Sequence, residues 1–553
     1  MTFRNLIENA VRAFPEKTAV RFKREKEWRS FTFRQFSDRA RAMACFAGNE
    51  LKLRPREDKV AFLLENDERW IEFYTALTSV GITVVPMDPK LRTEEVAYIL
   101  QDSGAVAVFT DVRHIPLLEE ILPDLPALGS VIFDEGTESC GLLKVYDYET
   151  VLTAAAVNPD KSFYERNKPT EQDIASIIYT SGTTGKPKGA MLSHNNFCSD
   201  AIGCLDHMPM FGSKDNFLVV LPLFHSFSFT TNYVVPLTCH AEVSFVENIR
   251  TVGEDIKLLK PTVLMAVPLL VDKLYQKIDA KLKASFVARI FLRIGLGRII
   301  GRKVLQTLGG RLSVIIVGGA PCPKHVLHGM TRLGICTIEG YGLTEASPVV
   351  STGQPGQFKI GTIGRKIPNI EVRIADPNEQ GVGELQIRGP IVMKGYYNNL
   401  EATRASFDGP WLRTGDLASI DKEGFITIRG RSKALIVNRE GKNIYPEEVE
   451  NCIARDPLVG DVVVIGYREG EDPGEKVGVI IAPNIDLFKE RNGGKPVPPA
   501  EMEEALMGIV RKQCRKLAEY KHPRKTVFSL DPLERTSTQK VRRCVYQGTL
   551  DTK

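Results

Sequence analysis

Over the first two-thirds of the chain, short unbroken apolar runs alternate with segments whose apolar residues recur at helical spacing. The runs at 60–64, 82–86, 105–109, 131–133, 174–178, 217–221, 263–267 and 312–317 are rich in Val and Ile and apolar at successive positions. Runs this short, apolar on both faces, predict strands buried on both sides of a parallel sheet. Segments 68–80 and 93–102 between them carry the helical period. Strand and helix in alternation predict an α/β architecture.

From about Lys359 the pattern changes. Segments 371–374, 383–388 and 424–429 alternate apolar with polar residues and are set off by glycine-bearing turns, which predicts antiparallel β structure. Beyond Arg431 come a helix start at Pro446-Glu-Glu-Val-Glu450, a strand at 461–465 and a long helix around 501–517, the texture of a small α+β domain. The expected domains are therefore 1–431, with its antiparallel part at about 353–431, and 432–553.

Composition narrows the classes. A net charge of +5 on 553 residues is no argument for nucleic acid. The ten cysteines form no C-x-x-C pair, so neither a zinc site nor a disulfide framework is expected, and reduced cytosolic thiols fit. The first residues lack an apolar stretch because Arg4, Glu8 and Arg12 interrupt it, and no apolar run nears the roughly 20 residues that span a bilayer. The expectation is a cytoplasmic protein, or one peripheral on the cytoplasmic face of the membrane.

The densest chemical signal is Tyr179-Thr-Ser-Gly-Thr-Thr-Gly-Lys-Pro-Lys-Gly189, directly after the apolar run ending at Ile178. Gly182, Gly185 and Gly189 permit close backbone approach, so that amide N–H groups can face phosphate oxygens. Thr180, Ser181, Thr183 and Thr184 add hydroxyl donors and Lys188 a positive charge. A plain strand-to-helix turn has similar composition. It is not a Walker loop, because Lys186 is followed by Pro187 rather than Ser or Thr.

This run resembles the signature of the adenylate-forming superfamily of acyl-CoA synthetases, peptide-synthetase adenylation domains and beetle luciferases. The resemblance covers essentially the whole chain. It implies a large N-terminal domain of two α/β subdomains plus a distorted antiparallel β-barrel, followed by a small mobile α+β domain. It also implies ATP, Mg²⁺ and coenzyme A as reactants, and roles for further segments. Gly319, Ala320 and Pro321 in Val317-Gly-Gly-Ala-Pro321 would contact adenine. In Glu339-Gly340-Tyr341-Gly342-Leu343-Thr344-Glu345, Tyr341 would stack on adenine and Thr344 reach the α-phosphate. Glu345 would hold Mg²⁺, with Thr180 beside it, although acids also favour the first turn of a helix. Asp416 in Trp411-Leu-Arg-Thr-Gly-Asp416 would accept from the ribose hydroxyls, and Arg431 would contact ribose or α-phosphate. Lys433 matches the hinge, where many relatives have Asp. Gly441 and Lys442 would face the coenzyme A channel. Lys540 matches the catalytic lysine, though Gln539 replaces the usual Gly, a usual Pro is missing, and Arg542 and Arg543 follow.

Leu221-Pro-Leu-Phe-His-Ser-Phe227 resembles the acyl-binding segment, with Phe224, His225 and Phe227 against the acid and His225 beside the reacting carboxylate. A satisfied core histidine is the plainer reading of His225. Amino-acid-activating relatives place an Asp here to pair the substrate ammonium. No carboxylate occurs in this run, and a buried ammonium would lack a counter-charge, which points to an uncharged apolar acyl chain. The leading expectation is a medium- or long-chain fatty acid–CoA ligase. Alternatives are transfer to an acyl carrier protein, a fatty acyl-AMP ligase, an aryl-acid CoA ligase and a non-catalytic nucleotide-binding relative. Oligomeric state is not written in the residues.

From Val271 to Gly310, nine Lys and Arg residues interleave with apolar residues against only Asp272 and Asp279. That pattern suits an anionic membrane surface, and equally an ordinary pair of surface helices.

Overall fold

The computed structural model describes the chain except residues 137, 158–160, 181–185, 249, 441, 471–473, 536–540 and 552–553. It forms two compact units. The first comprises 1–372 and 387–412, the second 373–386 and 413–553. Segments 373–386 and 413–431 thus group with the C-terminal residues.

Two large sheets build the first unit. One has seven strands in the order Lys144–Asp147, Ser130–Phe133, Ala107–Thr110, Lys59–Leu63, Thr83–Pro86, Ile174–Thr180, Lys188–Ser193. All neighbours are parallel except the last pair, an antiparallel hairpin. The other has nine strands. Its centre runs parallel from Thr18–Arg24 through Glu242–Phe245, Asn216–Val219, Val263–Ala266 and Val314–Val317 to Thr337–Gly342. Every residue of Val314–Val317 and Val263–Ala266 is buried, as strands covered on both faces require. The expected runs all fall on strands. The hairpin Thr18–Arg24 and Glu27–Thr32 was not expected, because its polar alternation resembles a loop.

Between the sheets lies an aromatic cluster in which Phe229 contacts Tyr74 at a 4.5 Å centroid distance and Trp70 stacks on Tyr74. Phe3 and Phe197 close it. Tyr74 also shares a hydrogen bond of 2.8 Å with Ser176 of strand Ile174–Thr180. The cluster therefore anchors two of the sequence motifs at once. Truncating one such ring costs about 3–5 kcal/mol.

Strand Trp411–Ile420, which enters the second unit at Arg413, pairs antiparallel with Ile426–Arg431 from Asp416↔Arg431 to Ile420↔Ile426, with a bulge between Leu417 and Ala418. A three-stranded sheet of Val459–Tyr467, Lys476–Pro483 and Lys525–Phe528 packs its apolar face on helices Pro446–Ile453 and Pro499–Cys514. The basic segment forms three helices, Pro268–Ala284, Phe286–Arg293 and Gly297–Thr307. Among the described residues no helix is long and apolar enough to cross a membrane.

Candidate active site

The hairpin Ile174–Thr180/Lys188–Ser193 sets the first part of the site. Its strands stay in register up to Thr180↔Lys188, and the Thr180 hydroxyl donates to the Lys188 carbonyl at 3.4 Å. Residues Ser181, Gly182, Thr183, Thr184 and Gly185 lie outside the described residues. At Gly189 a Cβ would lie 2.6 Å from Ile177 Cγ2 and 3.0 Å from the Tyr179 ring, so the hairpin closes only with glycine there. Tyr179 donates to Asp102 at 2.5 Å; burial and that carboxylate both raise its pKa, so the phenol stays protonated.

In the Glu339–Glu345 run, Glu339 to Gly342 belong to strand Thr337–Gly342, because Gly340, Tyr341 and Gly342 pair with Thr352, Ser351 and Val349. Glu345 lies in a three-residue 3₁₀ turn, Thr344–Ala346, and not in the first turn of an α-helix. Glu339 accepts from the Cys322 amide at 3.1 Å and the Gly361 amide at 3.4 Å, and burial raises its pKa. Its carboxylate thus holds the turn that carries Gly319, Ala320 and Pro321. Gly319 has a φ of +84°, which only glycine takes without strain.

Side chains far apart in sequence tie these segments together. Ser226 and Thr344 share a hydrogen bond at 3.0 Å, and Thr230 donates to the Ser347 carbonyl at 2.7 Å. Phe227 packs so closely on Gly318 that a Cβ there would sit 2.7 Å from its ring. Phe224 and His225 lie ring to ring at 4.3 Å. His225 caps a short helix, Ser226–Phe229, that runs on into a π-helical turn, Thr230–Val234, a departure frequent at functional sites. On the other side Tyr396 donates to Glu345 Oε1 at 2.8 Å, and Lys188 Nζ lies 5.5 Å from the Tyr396 ring centroid. Burial, then the neighbouring Glu345 carboxylate, raises the Tyr396 pKa, so its phenol remains the donor. Tyr397 and Met191 add backbone bonds to Gly189 and Gly395 at 2.7 and 2.9 Å. Tyr396 and Ser226 were missed from the sequence; the hint was the turn Gly395-Tyr-Tyr-Asn398, which breaks the β alternation with two aromatics.

A carboxylate beside hydroxyls is the hard oxygen set that suits Mg²⁺. Among the described residues no group of three or more His, Cys, Asp or Glu could hold a metal ion. One carboxylate with the remaining oxygens from phosphates is how Mg²⁺ enters phosphoryl sites, so the residues fit a magnesium that arrives with its nucleotide.

In the second unit, buried Asp416 pairs with Arg431 at 2.7 Å across the two strands. Lys433 is exposed in the 3₁₀ turn Ser432–Ala434. Lys442 pairs with Glu440 at 2.6 Å and lies 4.9 Å from the Tyr520 ring centroid; the Glu440 bond raises its pKa. Gly441 and Lys540 lie outside the described residues. Arg535 forms an isolated bridge with Val541 and an ion pair with Asp461. Arg542 pairs with Glu534 at 2.5 Å, and Arg543 with Glu450 at 2.7 Å and Glu447 at 3.0 Å.

With this geometry established, residues 7–397 match the family described as AMP-binding enzyme. The chain belongs to that family. It is 31% identical over 79% of its length to the long-chain-fatty-acid–CoA ligase FadD15 of Mycobacterium bovis, covering 75% of that protein. It is 30% identical over 96% to the putative acyl-CoA synthetase YngI of Bacillus subtilis, covering 94%. Among solved structures, it resembles o-succinylbenzoate CoA synthetase (MenE) of Bacillus subtilis in complex with its acyl-adenylate intermediate. There the TM-score is 0.77 at 25% identity, with 99% of this chain and 98% of that one covered. The same synthetase with ATP and magnesium ion gives a TM-score of 0.75 at 25% identity, covering 98% of each chain. The two-unit α/β architecture is that of these ligases. This AMP-binding enzyme is thus a ligase that activates a carboxylic acid through an acyl-AMP and binds ATP with Mg²⁺.

Proposed function

We propose that this AMP-binding enzyme is a fatty acid–CoA ligase acting on medium- or long-chain acids. The observation that carries the reading is the acyl-facing segment. Phe224, His225 and Phe227 are aromatic with no carboxylate in the run, and Ser226 joins this segment to Thr344, one residue from Glu345. An apolar acid would lie where a substrate ammonium finds no partner. FadD15 is a ligase of long-chain fatty acids, which favours this substrate; MenE acts on an aryl acid, so an aryl acid is the second reading. Acyl carrier protein is the alternative acceptor.

In the proposed first half-reaction the acid's carboxylate oxygen attacks the α-phosphorus of ATP and pyrophosphate leaves. Negative charge builds on the α-phosphate oxygens. Thr344, the 180–185 loop, Lys188 and Lys540 would stabilise it, and Glu345 would hold a magnesium that supplies further positive charge to the nucleotide. Tyr396 keeps that carboxylate oriented. Tyr341 and the Gly319–Pro321 turn take the adenine, and Asp416 and Arg431 the ribose. Arg542 and Arg543 are both committed to carboxylates, which supports Lys540 as the cation of its loop. In the second half-reaction the coenzyme A thiol attacks the acyl carbonyl and AMP leaves, with Gly441 and Lys442 toward the pantetheine and Lys433 as hinge. The proposed domain boundary is Arg431/Ser432.

The test is product mass spectrometry with ATP, coenzyme A and a ladder of fatty acids, beside aryl acids and amino acids. Acyl-CoA and AMP from octanoate or palmitate are expected. Turnover of an amino acid or aryl acid with none of any fatty acid would contradict the reading.

A further inference from the structure

Six of the seventeen large apolar side chains exposed among the described residues crowd into one stretch: Phe286, Val287, Ile290, Ile294, Leu296 and Ile299. Phe286, Val287 and Ile294 are each more than 60% exposed. Helix Phe286–Arg293 explains the crowding. At about 100° per residue, Phe286, Ile290, Ile294 and Val287 fall within one arc roughly 100° wide. Ala288 and Leu292, on the opposite side, pack on the core beneath the nine-stranded sheet. A surface helix ordinarily turns its apolar arc inward. This one turns much of it out.

Charge identifies what could cover that face. No Asp or Glu occurs from residue 280 to 338. Arg289, Arg293, Arg298, Arg302 and Lys303 are all exposed around the apolar arc. The nearest acid along the chain, Asp279, is engaged by Lys283 at 2.6 Å. A second copy offering the same face would set cation against cation, since a two-fold interface is self-complementary. Apolar tips rimmed by arginine fit a surface that is anionic outside and hydrocarbon beneath.

We propose that helix Phe286–Arg293 and the turn after it seat this enzyme on an anionic phospholipid bilayer. Phe286, Val287, Ile290 and Ile294 enter the acyl boundary, while Arg289, Arg293 and Arg298 meet the lipid phosphates. This holds whichever acid the enzyme activates.

The test uses the full chain in co-sedimentation with phosphatidylcholine vesicles, with and without phosphatidylglycerol. Binding to the anionic vesicles, weakened by salt, is expected, with little binding to phosphatidylcholine alone. The double change Arg289→Gln/Arg293→Gln should lower partitioning by about 25-fold, roughly fivefold per cation. Phe286→Ser/Ile294→Ser should lower it by about tenfold or more. Leu258→Ser/Leu400→Ser, at two exposed leucines elsewhere, should leave it unchanged. A Phe286→Trp variant needs no loss of side chain, and its emission should shift to the blue with anionic vesicles only. No sedimentation with anionic vesicles, equal binding to both compositions, or an unmoved emission from the Phe286→Trp variant would each overturn the proposal. So would a dimer in solution that Phe286→Ser/Ile294→Ser dissolves without vesicle binding, which would assign the face to a second copy.

Discussion

The two units carry their candidate chemistry in opposite ways. In the first, Glu345 is held by Tyr396, Thr344 by Ser226, and Glu339 by the amides of Cys322 and Gly361. In the second, the pairs lie at the surface: Lys442 is exposed and bound to Glu440, Lys433 is exposed in its turn, and Arg431 reaches buried Asp416 with a side chain that is still 51% exposed. The contrast has a physical meaning. Charge that develops on a phosphate is best met by donors that need not reorganise. Groups that serve one of two successive steps gain from sitting on turns that can re-aim. Fixed groups should therefore fail steeply when altered, and exposed ones selectively.

The steepest failure is expected at Glu345. Glu345→Gln removes the charge that would hold magnesium while keeping the shape. Acid-dependent ATP–pyrophosphate exchange should fall two to three decades, on the order of 3–4 kcal/mol. Near-normal exchange would break the contrast at its strongest point.

Next comes the packing that holds the first unit. His194 is fully buried and accepts from the Phe3 amide through Nδ1 at 3.3 Å. Burial lowers its pKa to about 3, against a weaker opposing effect of Asp173. Its folded pKa lies below the unfolded value near 6.5, so the neutral ring's stabilisation is present above pH 6.5 and lost as pH falls toward 3. Between pH 7.5 and 5 this one group should cost about 2 kcal/mol. Thermal unfolding across that range should show a flatter slope for His194→Gln than for wild type. Equal slopes would place the acid sensitivity elsewhere.

A smaller effect is expected at Tyr396. Tyr396→Phe deletes one hydrogen bond to a half-buried carboxylate, worth about 1.5 kcal/mol, so exchange should fall roughly tenfold. A rise in the magnesium concentration needed for half-maximal exchange would show that the phenol acts through Glu345. A fall in rate with no change in magnesium dependence would make it a packing residue only.

What the sequence showed and hid follows from distance along the chain. The apolar runs became strands because local patterning and burial on both faces agree, and the Pro446 helix start and the basic helices were legible for the same reason. Tyr396–Glu345 and Ser226–Thr344 were not, since 51 and 118 residues separate the partners and no local signal marks either pair. The strand Thr337–Gly342 extends into the motif because Val349–Thr352 folds back against it, a partner that periodicity does not reveal. For helix Phe286–Arg293 the pattern showed the apolar arc but not its direction. Only the neighbours Ala288 and Leu292, packed on the core, show that Phe286 and Ile294 face out.

In the proposed mechanism separate groups serve the two half-reactions, with Lys540 needed while charge builds on the α-phosphate and Lys442 for the thiol step. Supplying pre-formed acyl-adenylate and coenzyme A to Lys540→Ala and Lys442→Ala, and timing thioester formation, tests it directly. Lys540→Ala should lose two to three decades in adenylation, as for a lost charged donor, yet form thioester from the adenylate at close to the wild-type rate. Lys442→Ala should show the reverse. A Lys540→Ala enzyme that adenylates normally, or one equally slow in both steps, would contradict the claim.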